Sequence, residues 1–135
     1  MYLLDTNVVS ELRRRRPHGA VLKWIEGVAD DELFIPAVTI GELQAGIEKT
    51  REQDQAKADA LEGWLDQVAS SFNVLPMDVS AFRVWAKLKH RKSDTLVEDA
   101  LIAATAVVHG LTVVTRNVKH FDRLGVPILN PFRSG

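Results

Sequence analysis

The chain has 135 residues and no cysteine; 46% of its residues are hydrophobic and 26% are charged. The length suits one domain with a hydrophobic core, and the missing cysteines exclude disulfides, zinc–thiolate sites and thiol nucleophiles. A net charge of −1 excludes a global attraction to nucleic acid, so RNA or DNA could bind only at a local basic patch.

The sequence carries no sign of a secretory signal or of a membrane span. It lacks a charged start followed by a long apolar stretch, and no window is apolar enough to cross a bilayer. Since cysteine is also absent, we expect a cytoplasmic protein with no membrane partner. We expect a single domain over residues 1–135, because no internal repeat or low-complexity segment divides it.

Short apolar runs alternate with longer amphipathic segments along the chain. Predicted strands cover residues 2–4, 33–35, 74–75, 111–114 and 126–129. Predicted helices cover residues 7–12, 20–25, 39–49, 51–68, 79 to about 90, 97–109 and 118–124. This alternation indicates an α/β fold with a mostly parallel sheet of four or five strands and helices on both faces.

Three of the eighteen acidic residues interrupt apolar segments. Asp5 follows the first predicted strand, Glu42 lies one turn into the helix after the second strand, and Asp99 lies in the first turn of helix 97–109. Asn117 follows the strand at 111–114. In parallel sheets, ligands bind beyond the carboxyl ends of the strands where strand order reverses, so we expect these four side chains to converge there.

Each of these acids also has a structural interpretation. Asp5 is a suitable N-cap for the helix that follows it. Thr39 and Glu42 fit the capping-box pattern, as do Thr95 and Glu98, and we assign Glu98 to its capping box alone. Asp99 can interact favourably with the positive N-terminal end of its own helix. If capping is the whole explanation, the protein is a structural α/β protein without activity.

Clustered carboxylates favour a divalent cation. Three of them repel one another and raise at least one pKa, and a hard cation removes that repulsion. A set of oxygen ligands without thiolate suits Mg²⁺ or Mn²⁺ rather than zinc. The sequence has no phosphate-binding loop and no nucleophile elbow, and its histidines lack metal-ligand spacing. We therefore predict a metal site built by Asp5, Glu42 and Asp99.

Four segments in order resemble the PIN-domain family, and within it the VapC ribonuclease toxins of bacterial toxin–antitoxin pairs. They are Leu4–Asn7, Thr39–Leu43, Asp99–Ala106 and Thr115–Phe121, and the closing Leu129–Phe132 is similar to the FitB-like subgroup. The resemblance implies a PIN fold and a Mg²⁺- or Mn²⁺-dependent endoribonuclease. It also implies a homodimer and a VapB-type antitoxin that places a C-terminal segment in the toxin groove, forming a hetero-oligomer.

The resemblance also implies site residues. The first three acids of the family match Asp5, Glu42 and Asp99, but the fourth position, often Asp, is Asn117. His120 stands where some relatives carry a further acid. The reduced negative charge predicts weaker metal binding than in a four-acid site.

Roles in the reaction follow as a hypothesis. Asp5 and Asp99 hold the metal, Glu42 completes the acidic pocket, and either Glu42 or Asp99 orients or deprotonates the attacking water. Asn117 positions water or phosphate by hydrogen bonds. Three further side chains are expected to hold the acids in place. They are Thr6, Asn7 and Thr115.

Positive charge is needed for RNA to approach an acidic pocket. Arg116 and Lys119 flank Asn117 and are predicted to bind phosphates, and His120 is a candidate substrate contact. The run Arg13–Arg16 is expected to be a solvated loop, with contact to RNA or to an acidic stretch of the antitoxin as the alternative. Transfer RNA is a common target within the family.

The sequence leaves two other functions open. Without the fourth acid, the domain can be an RNA- or partner-binding module of low activity. Metal–carboxylate chemistry alone also allows a DNA-directed nuclease or a phosphatase.

Overall fold

The protein was analysed as a computed structural model that describes residues 1–92 and 96–133. Its strands are β1 Tyr2–Leu4, β2 Leu33–Pro36, β3 Asn73–Leu75, β4 Thr112–Val114 and β5 Ile128–Leu129. Its helices are α1 Thr6–Leu12, α2 Gly19–Glu26, α3 Ala37–Arg51, α4 Gln55–Ser71, α5 Val79–Lys89, α6 Val97–His109 and α7 Val118–Asp122. A short 3₁₀ turn, Asp30–Glu32, precedes β2.

The five strands form one parallel sheet in the order β3-β2-β1-β4-β5. The central strand β1 pairs with β2 on one side and with β4 on the other, with Leu4 opposite Val114. Strand order therefore reverses between β1 and β4, which makes their carboxyl ends the switch point where α/β sheets bind ligands. The α/β class and the mostly parallel sheet are confirmed.

Both faces of the sheet are buried, which explains why β1 and β4 are apolar at successive positions. Leu3 and Val113 pack against α6 and Phe121 in one core cluster. Leu4 and Val114 point to the other face and pack with Val8, Val9 and Ile35, among others. A smaller cluster joins α3 to α4 through Ile47, Ala58 and Leu65.

Helix ends follow local capping chemistry. Asp78 caps α5 by accepting a hydrogen bond from the Ala81 amide at 2.9 Å. Helix α6 ends at Gly110, whose φ of +66° is in the left-handed region that glycine adopts without strain. Asp54 caps α4 through the Lys57 amide, so α4 begins four residues later than the sequence predicts.

One predicted cap is wrong. Helix α3 begins at Ala37 with Pro36 as its N-cap, so Thr39 lies inside the first turn and does not start a capping box. The second predicted box, Thr95 with Glu98, depends on a threonine that lies outside the described residues. None of the helices over 1–92 and 96–133 is both long and apolar enough to span a membrane.

Candidate active site

Asp5 is held at the tip of the central strand. Its side chain is buried, and its Oδ1 accepts the Thr6 amide at 2.7 Å, so it does cap α1. Its Oδ2 accepts Asn7 Nδ2 at 3.0 Å and Thr115 Oγ1 at 2.7 Å. Burial raises the pKa of Asp5, the Thr115, Thr6 and Asn7 hydrogen bonds oppose that rise, and repulsion by Asp99 adds to it. Asp5 therefore caps α1 and belongs to the acidic cluster at the same time.

The segment after β4 is fastened to the segment after β1. Thr115, fully buried, donates to Asp5 and accepts the backbone amide of Asn117 at 2.9 Å. Asn7 in turn accepts the Arg116 amide through its Oδ1 at 3.4 Å. Thr115 and Asn7 thus orient the Asp5 carboxylate and hold the backbone of Arg116 and Asn117 in place.

Glu42 is connected to the Asp5 segment through Thr6. Thr6 Oγ1 donates to Glu42 Oε1 at 3.3 Å and lies 3.0 Å from Thr39 Oγ1. Burial raises the pKa of Glu42 to about 7, repulsion by Glu98 contributes next, the Thr6 hydrogen bond opposes the rise, and Asp5 adds a further repulsion. In the absence of a cation, the Glu42 carboxyl therefore holds its proton more strongly than an ordinary glutamate does.

Asp99 lies in the first turn of α6 and contacts His120. Its Oδ2 is 2.9 Å from His120 Nδ1. Partial burial raises the pKa of Asp99, the His120 hydrogen bond and charge oppose that rise, and Glu98 adds to it. His120 thus contacts one of the acids directly.

Glu98 is the residue that the sequence interpretation missed. Its carboxyl contacts that of Glu42, and its charge raises the pKa of both Glu42 and Asp99. The one signal in the sequence was its place beside Asp99 at the start of α6. The start of α6 therefore contributes two acids to the cluster.

A profile of the PIN domain matches residues 2–127. The chain belongs to the PIN-domain family.

Relatives of this PIN domain match over nearly their whole length. The plasmid stability protein StbB of Pseudomonas syringae is 37% identical, covering 99% of this chain and 100% of the relative. The VapC ribonuclease Y4jK of Sinorhizobium fredii is 36% identical, covering 98% of both. The FitAcB crystal structure from Neisseria gonorrhoeae includes a chain that superimposes with a TM-score of 0.87 at 32% identity, covering 99% of this chain and 100% of that one. The PIN fold and the resemblance to VapC and FitB proteins are confirmed.

The donor set of this PIN domain fits a hard divalent cation held by few protein ligands. Asp5 and Asp99 are close enough to repel each other, as are Asp5 and Glu42. Within residues 1–92 and 96–133, no group of three or more Asp, Glu or His side chains is arranged so that it could hold a metal ion by itself. Mg²⁺ commonly binds through one or two carboxylates, with waters and substrate phosphate completing the shell, so the arrangement suits it.

Two concave surfaces border the acids of the PIN domain. A groove between α3 and α4 is lined by Leu43, Ile47 and Trp64 among others, and Glu42 and Arg13 also line it. A second cavity lies at α7 and holds the predicted Arg116, Lys119 and His120 together with Asn117. The four arginines of the run Arg13–Arg16 are exposed, and Arg14 pairs with Glu11 at 3.4 Å.

Proposed function

We propose that this PIN domain is a divalent-metal-dependent endoribonuclease of the VapC type. The observation that carries the proposal is the group of carboxylates at the β1–β4 switch point, where Asp5, Glu42 and Asp99 interact electrostatically. Support for RNA as the substrate comes from the relatives, because those of Sinorhizobium fredii and Rickettsia bellii are named VapC ribonucleases.

Asp5 and Asp99 would hold the Mg²⁺ or Mn²⁺ ion. An ion held by these two carboxylates would supply Lewis-acid chemistry, acidifying a water and polarising the scissile phosphate. Asp5 supplies a carboxylate whose orientation is set by Asn7 and Thr115. Asp99 supplies a more accessible one, since its side chain is 16% exposed.

Glu42 has the properties of a general base. Burial and the neighbouring Glu98 raise its pKa, so its carboxylate accepts a proton more readily than an ordinary glutamate does. It takes the proton of the attacking water, while the Asn117 amide, with no side-chain capping bond on α7, donates to the phosphate. His120 keeps the Asp99 carboxylate in place.

The proposal is tested by incubating the purified protein with total RNA in Mg²⁺, in Mn²⁺ and in EDTA. Cleavage that requires either metal and disappears in Asp99→Asn supports it. Equal cleavage in EDTA would remove the metal from the reaction. Sequencing the cut ends identifies the substrate, with transfer RNA as the first class to examine.

A low-activity binding module is the alternative that one observation favours. Asn117 leaves the fourth acidic position of the family neutral. Restoring the acid with Asn117→Asp separates the two functions, because a weak enzyme gains activity from a second metal contact. Under the binding-module alternative, RNA binding in EDTA persists and Asn117→Asp produces no cutting.

We also propose that the protein is a toxin partnered by a small VapB-type antitoxin. Glu42 and Arg13 both line the groove between α3 and α4, and Arg13 offers a positive charge to an acidic stretch of the partner. The similar structures include FitAB bound to a DNA fragment. Co-expression with the product of the adjacent reading frame, followed by co-purification with the wild type and with Trp64→Glu, tests this surface.

A homodimer is part of the same proposal. Val79, Phe82 and Val107 are exposed apolar side chains on the packed helices α5 and α6. Light scattering on the purified chain measures its mass directly. A dimer that Phe82→Glu converts to monomer supports this face, whereas a monomeric wild type contradicts the homodimer.

A further inference from the structure

A basic cavity adjoins the acids. It has a volume of about 310 Å³ and lies between α7 and the C-terminal segment. Its cationic lining is Arg116, Lys119 and Arg133, and the amides of Asn117 and Asn130 complete its polar wall. Among the described lining residues there is no Asp or Glu, so the cavity is formally positive while its neighbour is negative.

Arg116 is oriented within this cavity by an aromatic platform. Its guanidinium carbon lies 4.3 Å from the ring centroid of Phe132, and its backbone amide is bound to Asn7. Asn130 fixes the platform by accepting the Phe132 amide through Oδ1 at 3.0 Å. A guanidinium that stacks through its face keeps its N–H edge available, and that edge matches two phosphate oxygens.

Arg51 is an arginine whose charge is neutralised by neighbouring carboxylates, and it serves as a comparison for Arg116. Its guanidinium pairs with Glu48 at 2.9 Å, Asp59 at 2.7 Å and Glu62 at 3.2 Å. Arg116, by contrast, has no ion pair to any described residue, and the same holds for Lys119 and Arg133. The positive charge of the cavity is therefore left for an external anion.

His120 joins the cavity to the acidic site. Its ring lines the cavity, and its Nδ1 lies 2.9 Å from Asp99. An anion in the cavity therefore lies one side chain away from a proposed metal ligand. A polyanion crossing the acids would be repelled by them, and positive charge beside them offsets that repulsion.

We propose that Arg116, Lys119 and Arg133, with Asn130, form a subsite for a backbone phosphate of the RNA strand, next to the phosphate that is cut. This inference rests on the proposed ribonuclease function. An acidic peptide is less well matched, because His120 links the cavity to Asp99 and a nucleic acid strand carries a phosphate at each successive nucleotide.

The test measures binding of a fluorescent single-stranded RNA by anisotropy in EDTA, where no metal-dependent cleavage occurs. Arg116→Gln is expected to weaken binding roughly tenfold, as for loss of a charged hydrogen bond of about 1.4 kcal/mol. The slope of log affinity against log salt falls by ~0.7 for each phosphate that the protein no longer neutralises. Arg83→Gln on the exposed face of α5 is the matched control and leaves both quantities unchanged.

Arg116→Lys separates charge from geometry. It keeps the positive charge and the salt slope but loses the planar stack on Phe132, so its affinity falls between those of the wild type and Arg116→Gln. Circular dichroism of each variant establishes that it is folded. A folded Arg116→Gln that binds RNA as tightly as Arg83→Gln overturns the subsite, even if the wild type cleaves RNA normally.

Two further results distinguish failure of the subsite proposal from failure of the proposed ribonuclease function. If the wild type binds RNA through Arg116 but never cuts it in Mg²⁺ or Mn²⁺, the proposed function fails while the phosphate subsite stands. If an oligoglutamate peptide loses affinity in Arg116→Gln and RNA does not, the cavity is a peptide site and the RNA proposal is overturned.

Discussion

Asp5 and Asp99 bring carboxylates to the same site from different surroundings. Asp5 is 3% exposed, and its oxygens accept hydrogen bonds from one backbone amide and two side chains. The Asp99 side chain is 16% exposed, and its partner among the described residues is the His120 ring. The first carboxylate is fixed by the fold itself, while the second is held by one half-exposed imidazole.

The two acids are therefore constrained to different degrees, Asp5 at the end of β1 more than Asp99 in α6. Asp5 is the rigid reference point, because Thr115 couples it to the neighbouring strand β4. Asp99 and the adjacent, exposed Glu98 form the less constrained side of the acidic cluster. Changes near Asp5 should therefore affect both stability and chemistry, and changes near Asp99 should affect mainly chemistry.

The largest expected effect comes from replacing either acid. Asp5→Asn and Asp99→Asn should each lower RNA cleavage by roughly two orders of magnitude or more, since metal stabilisation is worth several kcal/mol and each tenfold is about 1.4 kcal/mol. Asp5→Asn should also lower the free energy of unfolding by about 1–3 kcal/mol, because an amide cannot accept all three hydrogen bonds. Asp99→Asn should change it by about 0.5 kcal/mol or less.

Cleavage rates in Mn²⁺ and urea denaturation measure the two quantities. Asp66→Asn, an exposed acid on α4, is the control for loss of one negative charge. If Asp5→Asn cuts RNA at the wild-type rate, the site is wrong. If both variants lose equal stability, the distinction between a fixed and an adaptable carboxylate is wrong.

Thr115→Val tests the fixed side alone. The near-isosteric change removes the hydroxyl that bridges Asp5 and the Asn117 amide, and should lower Mn²⁺ affinity about 10–100-fold, as for other groups that orient metal ligands. Calorimetric Mn²⁺ titration measures it. Thr105→Val is the matched control, because Thr105 is equally buried but bonds within α6 and to Met77, and it should lose stability without losing metal affinity.

Glu98→Gln tests the adaptable side through pH. Removing the Glu98 charge should lower the pKa of Glu42 in the metal-free protein, because repulsion by Glu98 is one cause of its rise, and cleavage should extend to lower pH than in the wild type. Carbon-13 NMR of the Glu42 carboxyl in the metal-free protein measures the titration directly. A Glu42 pKa that is the same with and without Glu98 would contradict the contact.

The same shift sets the sign of one stability effect. The pKa of Glu42 is higher in the folded protein, about 7, than its ordinary value of 4.5. Its ionisation is therefore disfavoured by folding, and its contribution lowers the free energy of unfolding as pH rises from 4.5 to about 7 and stays constant above that. Glu42→Gln should flatten the pH dependence of stability over that interval in the metal-free protein.

The smallest effect is expected for His120→Gln. Glutamine keeps a donor near Asp99, and a half-exposed pair is worth about 1 kcal/mol or less. Cleavage should fall a few-fold with unchanged stability in urea. A complete loss of activity would show that His120 takes part in the chemistry and does not merely hold Asp99.

The order of strands and helices was predictable because each has its own local signal. Residues 97–109 are apolar almost all round and are followed by Gly110, and helix α6 has those bounds. The starts of α3 and α4 were misplaced, because several residues near each start satisfy a capping pattern and tertiary packing decides which one is used. Thr39 shows this: its hydroxyl is directed to Thr6 of another helix and not to its own backbone.

The sequence by itself predicted the PIN fold, through its resemblance to the family, and it nominated Asp5, Glu42 and Asp99 as candidate site residues, because each carboxylate interrupts an apolar segment where it is costly to bury. Only the tertiary structure placed Glu98 against Glu42, separated the fixed Asp5 from the adaptable Asp99, and grouped Arg116 with Arg133 beside them. The physical reason is distance along the chain. Local patterns encode helices, strands and caps, whereas desolvation, carboxylate repulsion and uncompensated charge arise between residues that only the folded sheet brings together.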